Sequence, residues 1–170
     1  MTGARYQIRQ LSRSDLEVFR PVRLEALRLH PEAFGSDHDE EAQVAPDALA
    51  QRLLEPPSTM FGGFCKATLV GTAGLLRHSR VKSRHRGVLF AMYVDAAHRG
   101  SGLAGRLVAA VIGRARDDGV SMLTLTVTIG NAGAQRLYER FGFRTYGVEP
   151  RALRIGDTFH DDALMALRLD

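Results

Sequence analysis

The segment AHRGSGLAG, residues 97–105, limits the choice of fold more than any other part of this chain. It stands between an unbroken apolar run, Val88 to Val94, and a helical pattern that begins near Leu103. Gly100, Gly102 and Gly105 satisfy G-x-G-x-x-G. Glycines at a strand-to-helix junction let free backbone N–H groups approach an anion closely, and the helix start adds about half a positive charge. Pyrophosphate is the natural guest for such a loop, so a buried strand must feed a helix that opens on a phosphate-sized turn. Two familiar hosts are excluded. A dinucleotide-binding βαβ unit needs the motif after its first strand and an acid about 20 residues further on. Here several strands precede the motif, and the next strand, Met122 to Thr128, ends without a carboxylate. A Walker loop needs G-K-[ST] after the glycines, which is missing.

The rest of the chain supplies the context. Tyr6 to Leu11 alternates weakly and reads as an opening strand, and Ser14 with Glu17 forms an S-x-x-E helix start. A helix from about Asp15 to His30 follows, with Leu16, Phe19, Val22, Leu24 and Leu27 on one stripe; Pro21 is expected to kink or split it, and Pro31 to end it. Pro46 opens a second helix that stops at Pro56-Pro57. Met60 to Lys66, Leu69 to Arg77 and Arg86 to Val94 read as consecutive antiparallel strands, the third central and buried on both faces. Then come a helix over Gly100 to Asp118, a strand over Met122 to Thr128 and a short helix from Asn131 to Phe141 with Gly142 as its C-cap. Strands over about Phe143 to Val148 and Phe159 to Leu169, with Gly156-Asp157 near the turn, complete a single α+β domain with a mixed sheet spanning residues 1–170.

At 170 residues, the chain is long enough to bury roughly 70% of its unfolded surface without a metal or disulfide. The longest apolar run is too short to cross a bilayer, and MTGARYQIRQLSRSD has no apolar core of a secretory signal. A cytoplasmic location without a membrane partner is therefore expected, and lone Cys65, read as a small buried hydrophobe, agrees. The net charge of +4 is spread along the chain, which argues against nucleic acid as the main partner. Arg77 to Arg86, RHSRVKSRHR, is the exception: it has no acid and reads first as a solvated hairpin loop, second as a phosphate-binding patch. The six histidines show no paired ligand spacing, and no metal is expected.

Two blocks together carry a family resemblance. Arg99-Gly100-Ser101-Gly102-Leu103-Ala104, preceded by Tyr93-Val94, resembles the R/Q-x-x-G-x-G/A signature of the GNAT superfamily of N-acetyltransferases. Downstream, NAGAQRLYERFGF, residues 131–143, is similar to that family's N-x-x-A-x-x-L-Y-x-x-x-G-F segment, and the order of strands and helices also matches. Ala96 departs from the proline many members carry before the loop. The resemblance implies a mixed, mostly antiparallel sheet flanked by about four helices, with acetyl-CoA as cofactor. It implies that the amides of Arg99, Gly100, Ser101, Gly102, Leu103, Ala104 and Gly105 wrap the pyrophosphate, with Arg99 adding charge. Main-chain groups of Met92, Tyr93 and Val94 would pair with the pantetheine arm, and Asn131 would touch it or simply cap its helix.

Tyr138 is implied as the catalytic general acid that protonates the leaving thiolate, although its helix face could equally be core. The mechanism implied is direct attack by a neutral amine, with a backbone N–H near Val94 stabilising the carbonyl oxygen. An ordinary alkylamine has a pKa of about 10.4, so a base is needed, yet neither central strand contains Asp or Glu. A water relay, Glu32, Asp37, Glu40, Glu41 or the segment His160 to Asp162 remain as candidates. The stretch PEAFGSDHDEEA would lie over the acceptor side and draw in a cation, with Glu32 and Phe34 as substrate contacts. The expected substrate is a primary amine of a small molecule or peptide. An acyl-CoA sensor without turnover and an RNA- or ribosome-associated basic protein are the alternatives, and exposed strand edges leave room for a homodimer.

Overall fold

The structure, a computed structural model, describes residues 6–170; the first five, where the expected leader-free stretch begins, lie outside it. Seven strands form one sheet in the order β1-β2-β3-β4-β5-β7-β6. They span Tyr6–Gln10 (β1), Ser58–Cys65 (β2), Thr68–Arg77 (β3), Arg86–Val94 (β4), Met122–Thr128 (β5), Arg144–Ile155 (β6) and Thr158–Arg168 (β7). Every neighbouring pair is antiparallel except β4 with β5. Five α-helices accompany them: Leu16–Leu29 (α1), His38–Ala42 (α2), Pro46–Leu53 (α3), Leu103–Asp117 (α4) and Ala132–Arg140 (α5). This is the mixed, mostly antiparallel sheet expected, with one more helix.

The two faces of the sheet carry separate cores because the strands alternate. On one face α4 buries Leu103, Leu107, Val108, Val111, Ile112 and Ala115, the three-and-four spacing of an amphipathic helix, against Leu75, Leu89, Leu123, Leu125 and Met165. Gly63 and Gly71 admit this helix closely: a Cβ at Gly63 would lie 2.7 Å from a Leu103 methyl and one at Gly71 3.1 Å from a Leu107 methyl. On the other face Phe19 of α1 and Leu49 and Leu53 of α3 pack with Met60, Phe64, Leu69 and Ala91.

Several local expectations change. The helix start is set by Ser12 and Asp15, not Ser14 and Glu17: the Asp15 carboxylate accepts from the Ser12 N–H at 2.8 Å and tops a 3-10 turn that runs into α1. Pro21 does not split α1, which continues unbroken to Leu29; a proline in the second turn removes only one helical donor. The acidic stretch is folded, with a 3-10 turn over Pro31–Ala33 and the short α2. Its anchor is Glu41, 2% exposed, whose carboxylate accepts from Arg23 Nε and Arg52 Nη2, each at 2.6 Å. The last hairpin is longer than its apolar pattern suggested, because β6 continues with exposed side chains to Ile155. Cys65 is half-buried rather than core. Arg80, Lys82 and Arg84 of the basic loop are exposed and form no ion pair among the described residues.

Candidate active site

β4 and β5 pair only over Arg86↔Met122, Gly87↔Leu123 and Val88↔Thr124, then diverge. The cause lies in β4. Ala91 adopts φ +53°, and the register against β3 jumps between Gly74↔Phe90 and Thr72↔Tyr93, the mark of a bulge. The Thr72 hydroxyl donates to the Ala91 carbonyl at 2.9 Å and fixes the bulge from inside. A cavity of about 720 Å³ opens where the two strands separate. Met92, Tyr93 and Val94 form one wall, Thr128 to Asn131 the opposite wall, and Ala134, Leu137 and Tyr138 of α5 the floor.

The glycine loop stands at one mouth of this cavity. Asp95 accepts from the Ala97 N–H at 2.8 Å, Ser101 Oγ donates to the His98 carbonyl at 2.6 Å, and Gly100 and Gly102 take φ of +71° and +84°. An ideal Cβ at either glycine would meet nothing within 4 Å. The loop therefore presents main chain to open space, beside the first-turn amides of α4 that have no partners within their helix. These features fit a pyrophosphate, which needs amides and room rather than side chains.

Of the cofactor-contact residues expected from sequence, Met92, Tyr93, Val94, Arg99, Gly100, Ala104, Asn131 and Tyr138 line the cavity. Ser101 and Gly102 lie on the exposed loop, Leu103 is wholly buried in the core, and Gly105 faces the Phe141 ring from inside α4. Arg99 is folded back: Nε donates to the Val94 carbonyl at 3.1 Å and Nη2 to His30 Nε2 at 2.8 Å, away from the loop amides. Asn131 caps α5, its side chain accepting from the Ala134 N–H at 3.2 Å, and the residue also borders the cavity. Tyr138 is 5% exposed, packs its ring edge-on to Phe143 at 5.8 Å, and has no hydrogen-bond partner for its hydroxyl among the described residues. Burial pushes its pKa far above the usual phenol value, so it is neutral at physiological pH.

Glu32 and Phe34 do line the cavity. They are held there by the Thr128 hydroxyl, which donates to the Glu32 carbonyl, and by the Arg23 guanidinium, 5.4 Å from the Phe34 ring centre. Among the other base candidates, Glu41 is locked between two arginines and Asp37 caps α2 by accepting from the Asp39 and Glu40 N–H groups at 2.8 and 3.0 Å. Glu40 lies exposed on α2. His160 lines the cavity. Asp162 lies opposite Thr128 on β7, 8% exposed, with Oδ1 lacking any hydrogen-bond partner. Burial raises its pKa, with Glu149 and Asp161 adding to the shift and Thr128 and His160 opposing it.

Sequence reasoning missed His30, Thr128 and Arg140 as cavity residues. Thr128 had a readable cue, being the last residue of the strand before Asn131; the other two lacked a motif. Among the described residues, no three His, Cys, Asp or Glu side chains converge as metal ligands, and no helix is long and apolar enough to cross a membrane.

Comparison with known proteins gives a consistent result. The profile of the Acetyltransferase (GNAT) family matches residues 21–143. A mycothiol acetyltransferase from Brachybacterium faecium is 32% identical over 126 residues, 71% of this chain and 38% of that protein. The chain thus spans less than half the length of that relative. An L-methionine sulfoximine/L-methionine sulfone acetyltransferase from Pseudomonas aeruginosa is 34% identical over 79 residues, 46% of each chain. The yncA protein of Salmonella typhimurium, solved with its cofactor acetyl-CoA, superposes with a TM-score of 0.81 at 24% identity, covering 98% of this chain and 95% of that one.

Proposed function

From the premise that the chain belongs to the acetyltransferase (GNAT) family, we propose that it transfers an acetyl group from acetyl-CoA to a primary amine of a small molecule or peptide. The observation that carries this reading is the separation of β4 from β5 beyond Val88↔Thr124, over a cavity whose mouth is a glycine loop. A sheet that parts at its centre leaves main-chain donors and acceptors of β4 free for an amide-bearing chain, as strand addition would use them. In this reading Met92 and Val94 pair with a pantetheine arm in this way, and the amides from Arg99 to Ala104 receive its pyrophosphate. Asn131 and Tyr93 border the same path.

Acetyl-CoA supplies a thioester, an activated acyl group that a neutral amine can attack. A backbone N–H near Val94 faces the carbonyl oxygen as charge grows there. The Tyr138 hydroxyl, free of protein partners, donates to the departing sulfur. Its neutrality has a consequence for the step. A thiol has an ordinary pKa of about 8.5, far below this buried phenol, so a full proton transfer from Tyr138 is uphill and the hydroxyl acts chiefly by hydrogen-bonding the developing thiolate. The amine enters from the opposite end, past Glu32, Phe34 and His160. Relatives named for mycothiol and for L-methionine sulfone support a small-molecule amine as acceptor.

Thermal unfolding with acetyl-CoA, with NAD as control, tests the cofactor. Thiol release from acetyl-CoA with L-methionine sulfone and a panel of small primary amines and peptides tests the transfer. A midpoint raised by acetyl-CoA alone, with thiol release, supports the reading. Stabilisation without release by any amine would leave a sensor, and no stabilisation would remove the cofactor assignment.

A further inference from the structure

An amine acetylated at neutral pH arrives as an ammonium ion, and a residue must take its proton before nitrogen can attack. β4 and β5 hold no acid. The answer lies one strand further on. β7 pairs with β5 so that Asp162 stands directly opposite Thr128, which places its side chain on the same sheet face as the Thr128 hydroxyl, the face covered by the Pro31–Ala33 turn. His160, two residues earlier on that face of β7, lines the cavity, as Thr128 does. Asp162 is more than nine-tenths buried, and its Oδ1 has no hydrogen-bond partner among the described residues. A buried carboxylate oxygen left unpaired destabilises the folded protein and is rare in proteins unless it has a task.

Resting on the acetyltransferase reading above, we propose that Asp162, buried behind the cavity wall formed by Thr128 and His160, receives the ammonium proton of the incoming amine. The proton leaves the amine nitrogen and ends on the Asp162 carboxylate. The freed nitrogen lone pair forms the C–N bond, the C–S bond breaks, and the second proton of the attacking nitrogen passes to the departing sulfur, held meanwhile by a hydrogen bond from Tyr138, to give the acetylated amine and the thiol of coenzyme A. Asp162 returns its proton to water when the product leaves.

The surroundings suit this task. Burial makes Asp162 a stronger base than a solvated carboxylate, and Glu149, directly opposite it on β6, strengthens it further. Asp161 acts in the same direction, while His160 and the Thr128 hydroxyl pull the other way, keeping the group ionisable. Glu32 is the competing carboxylate, since it lines the same end of the cavity, but it is half-buried and open to solvent. Glu41, Asp37 and Glu40 are excluded by their bonds or their exposure.

The test is kcat/KM for the amine against pH, from about pH 4, near an ordinary carboxylate pKa, to about pH 10, near an ordinary amine pKa of about 10.4. In the unaltered protein activity rises along an acid limb set by Asp162. Asp162→Asn should lose on the order of 10²-fold at neutral pH and recover most of it toward about pH 10, where the amine loses its proton unaided. A structural lesion would instead lower activity evenly across the range. Glu149→Gln, an exposed change, weakens Asp162 as a base and should move the acid limb to lower pH. Glu32→Gln should leave the limb in place. Acetyl-CoA must stabilise each variant as it does the parent. An unshifted limb in Glu149→Gln, a flat loss in Asp162→Asn, or a limb abolished by Glu32→Gln would each overturn the proposal while leaving the acetyltransferase reading intact. Absence of thiol release by the unaltered protein with every amine would overturn both.

Discussion

Three glycines of one helical segment are expected to answer an alanine substitution with opposite signs. Gly102 precedes α4 at φ +84°, the left-handed region, where a Cβ costs about 1–2 kcal/mol. Gly105 and Gly113 lie inside α4; a Cβ at Gly105 would touch the Phe141 ring at 3.7 Å, an ordinary contact, and one at Gly113 would meet nothing within 4 Å. Alanine at either should stabilise by about 0.5–1 kcal/mol, because glycine inside a helix loses more chain entropy on folding. For a domain of this size 1 kcal/mol is roughly 2–4 °C in Tm. Gly102→Ala should therefore lower the midpoint by roughly 2–8 °C, while Gly105→Ala and Gly113→Ala each raise it by roughly 1–4 °C. Acetyl-CoA at about 100 times its Kd adds about 2.7 kcal/mol, or roughly 5–10 °C. That increment should survive at Gly113, on the far side of the helix from the loop, and shrink in Gly102→Ala, whose methyl projects into the space a pyrophosphate would use. Differential scanning fluorimetry of the three variants, with and without acetyl-CoA, reads all six midpoints. A neutral or stabilising Gly102→Ala would refute the left-handed turn. A full acetyl-CoA increment in that variant would refute the loop as the anion cradle.

Tyr138→Phe should lower kcat by on the order of 10²-fold while acetyl-CoA still stabilises the protein, because only the hydroxyl is removed; stopped-turnover thiol assays with parallel melts check it. Glu41→Ala should cost about 3–5 kcal/mol, since it leaves Arg23 beside no counter-charge in a buried site, and the melting midpoint should drop by on the order of 10 °C. Asp15 is held at a pKa of about 2 by hydrogen bonds from Arg9, below its ordinary value of 3.8. A lowered acid pKa adds stability above 3.8 and loses it as pH falls toward 2, so Asp15→Asn should flatten the acid limb of a stability-versus-pH curve in that interval and leave it unchanged in shape above it.

Much of this molecule can be read from short-range pattern. The strands β2 to β5, the glycine loop with α4, and the Asn131–Phe143 block announce themselves because their periodicity and turn residues are local. The capping error at Ser14 arose because Ser12 and Asp15 offer an equally good start two residues earlier, and the choice was settled by Arg9, a residue on β1 that pairs with Asp15 at 2.7 Å. Glu41 looked like one acid among several solvated ones; its burial depends on Arg23 and Arg52 arriving from two other helices. Asp162 is the sharpest case. Its place opposite Thr128 follows from the register of two strands separated by more than thirty residues of chain, and nothing in the sequence near it records that register. Tertiary pairing, not composition, decides which carboxylate is buried beside Thr128.

The parting of β4 from β5 also has a mechanical meaning. Three rungs join a four-stranded half, β1 to β4, to a three-stranded half, β5 to β7, and further ties are the apolar layer beneath α4, the Thr124 hydroxyl on the Gly87 carbonyl, the Ser121 and Met122 N–H groups on the His85 carbonyl and the Thr128 hydroxyl on the Glu32 carbonyl. The seam is the weakest line across the sheet, and the two halves are natural units for sub-global opening, with slower amide exchange expected inside each than along their border. A ligand that bridges Met92 and Asn131 stitches that seam, and an amine held between Phe34 and His160 stitches it again from the other end. Each guest then finds the halves already stiffened by the other, so the two should bind with positive coupling through shared rigidity even where they do not touch.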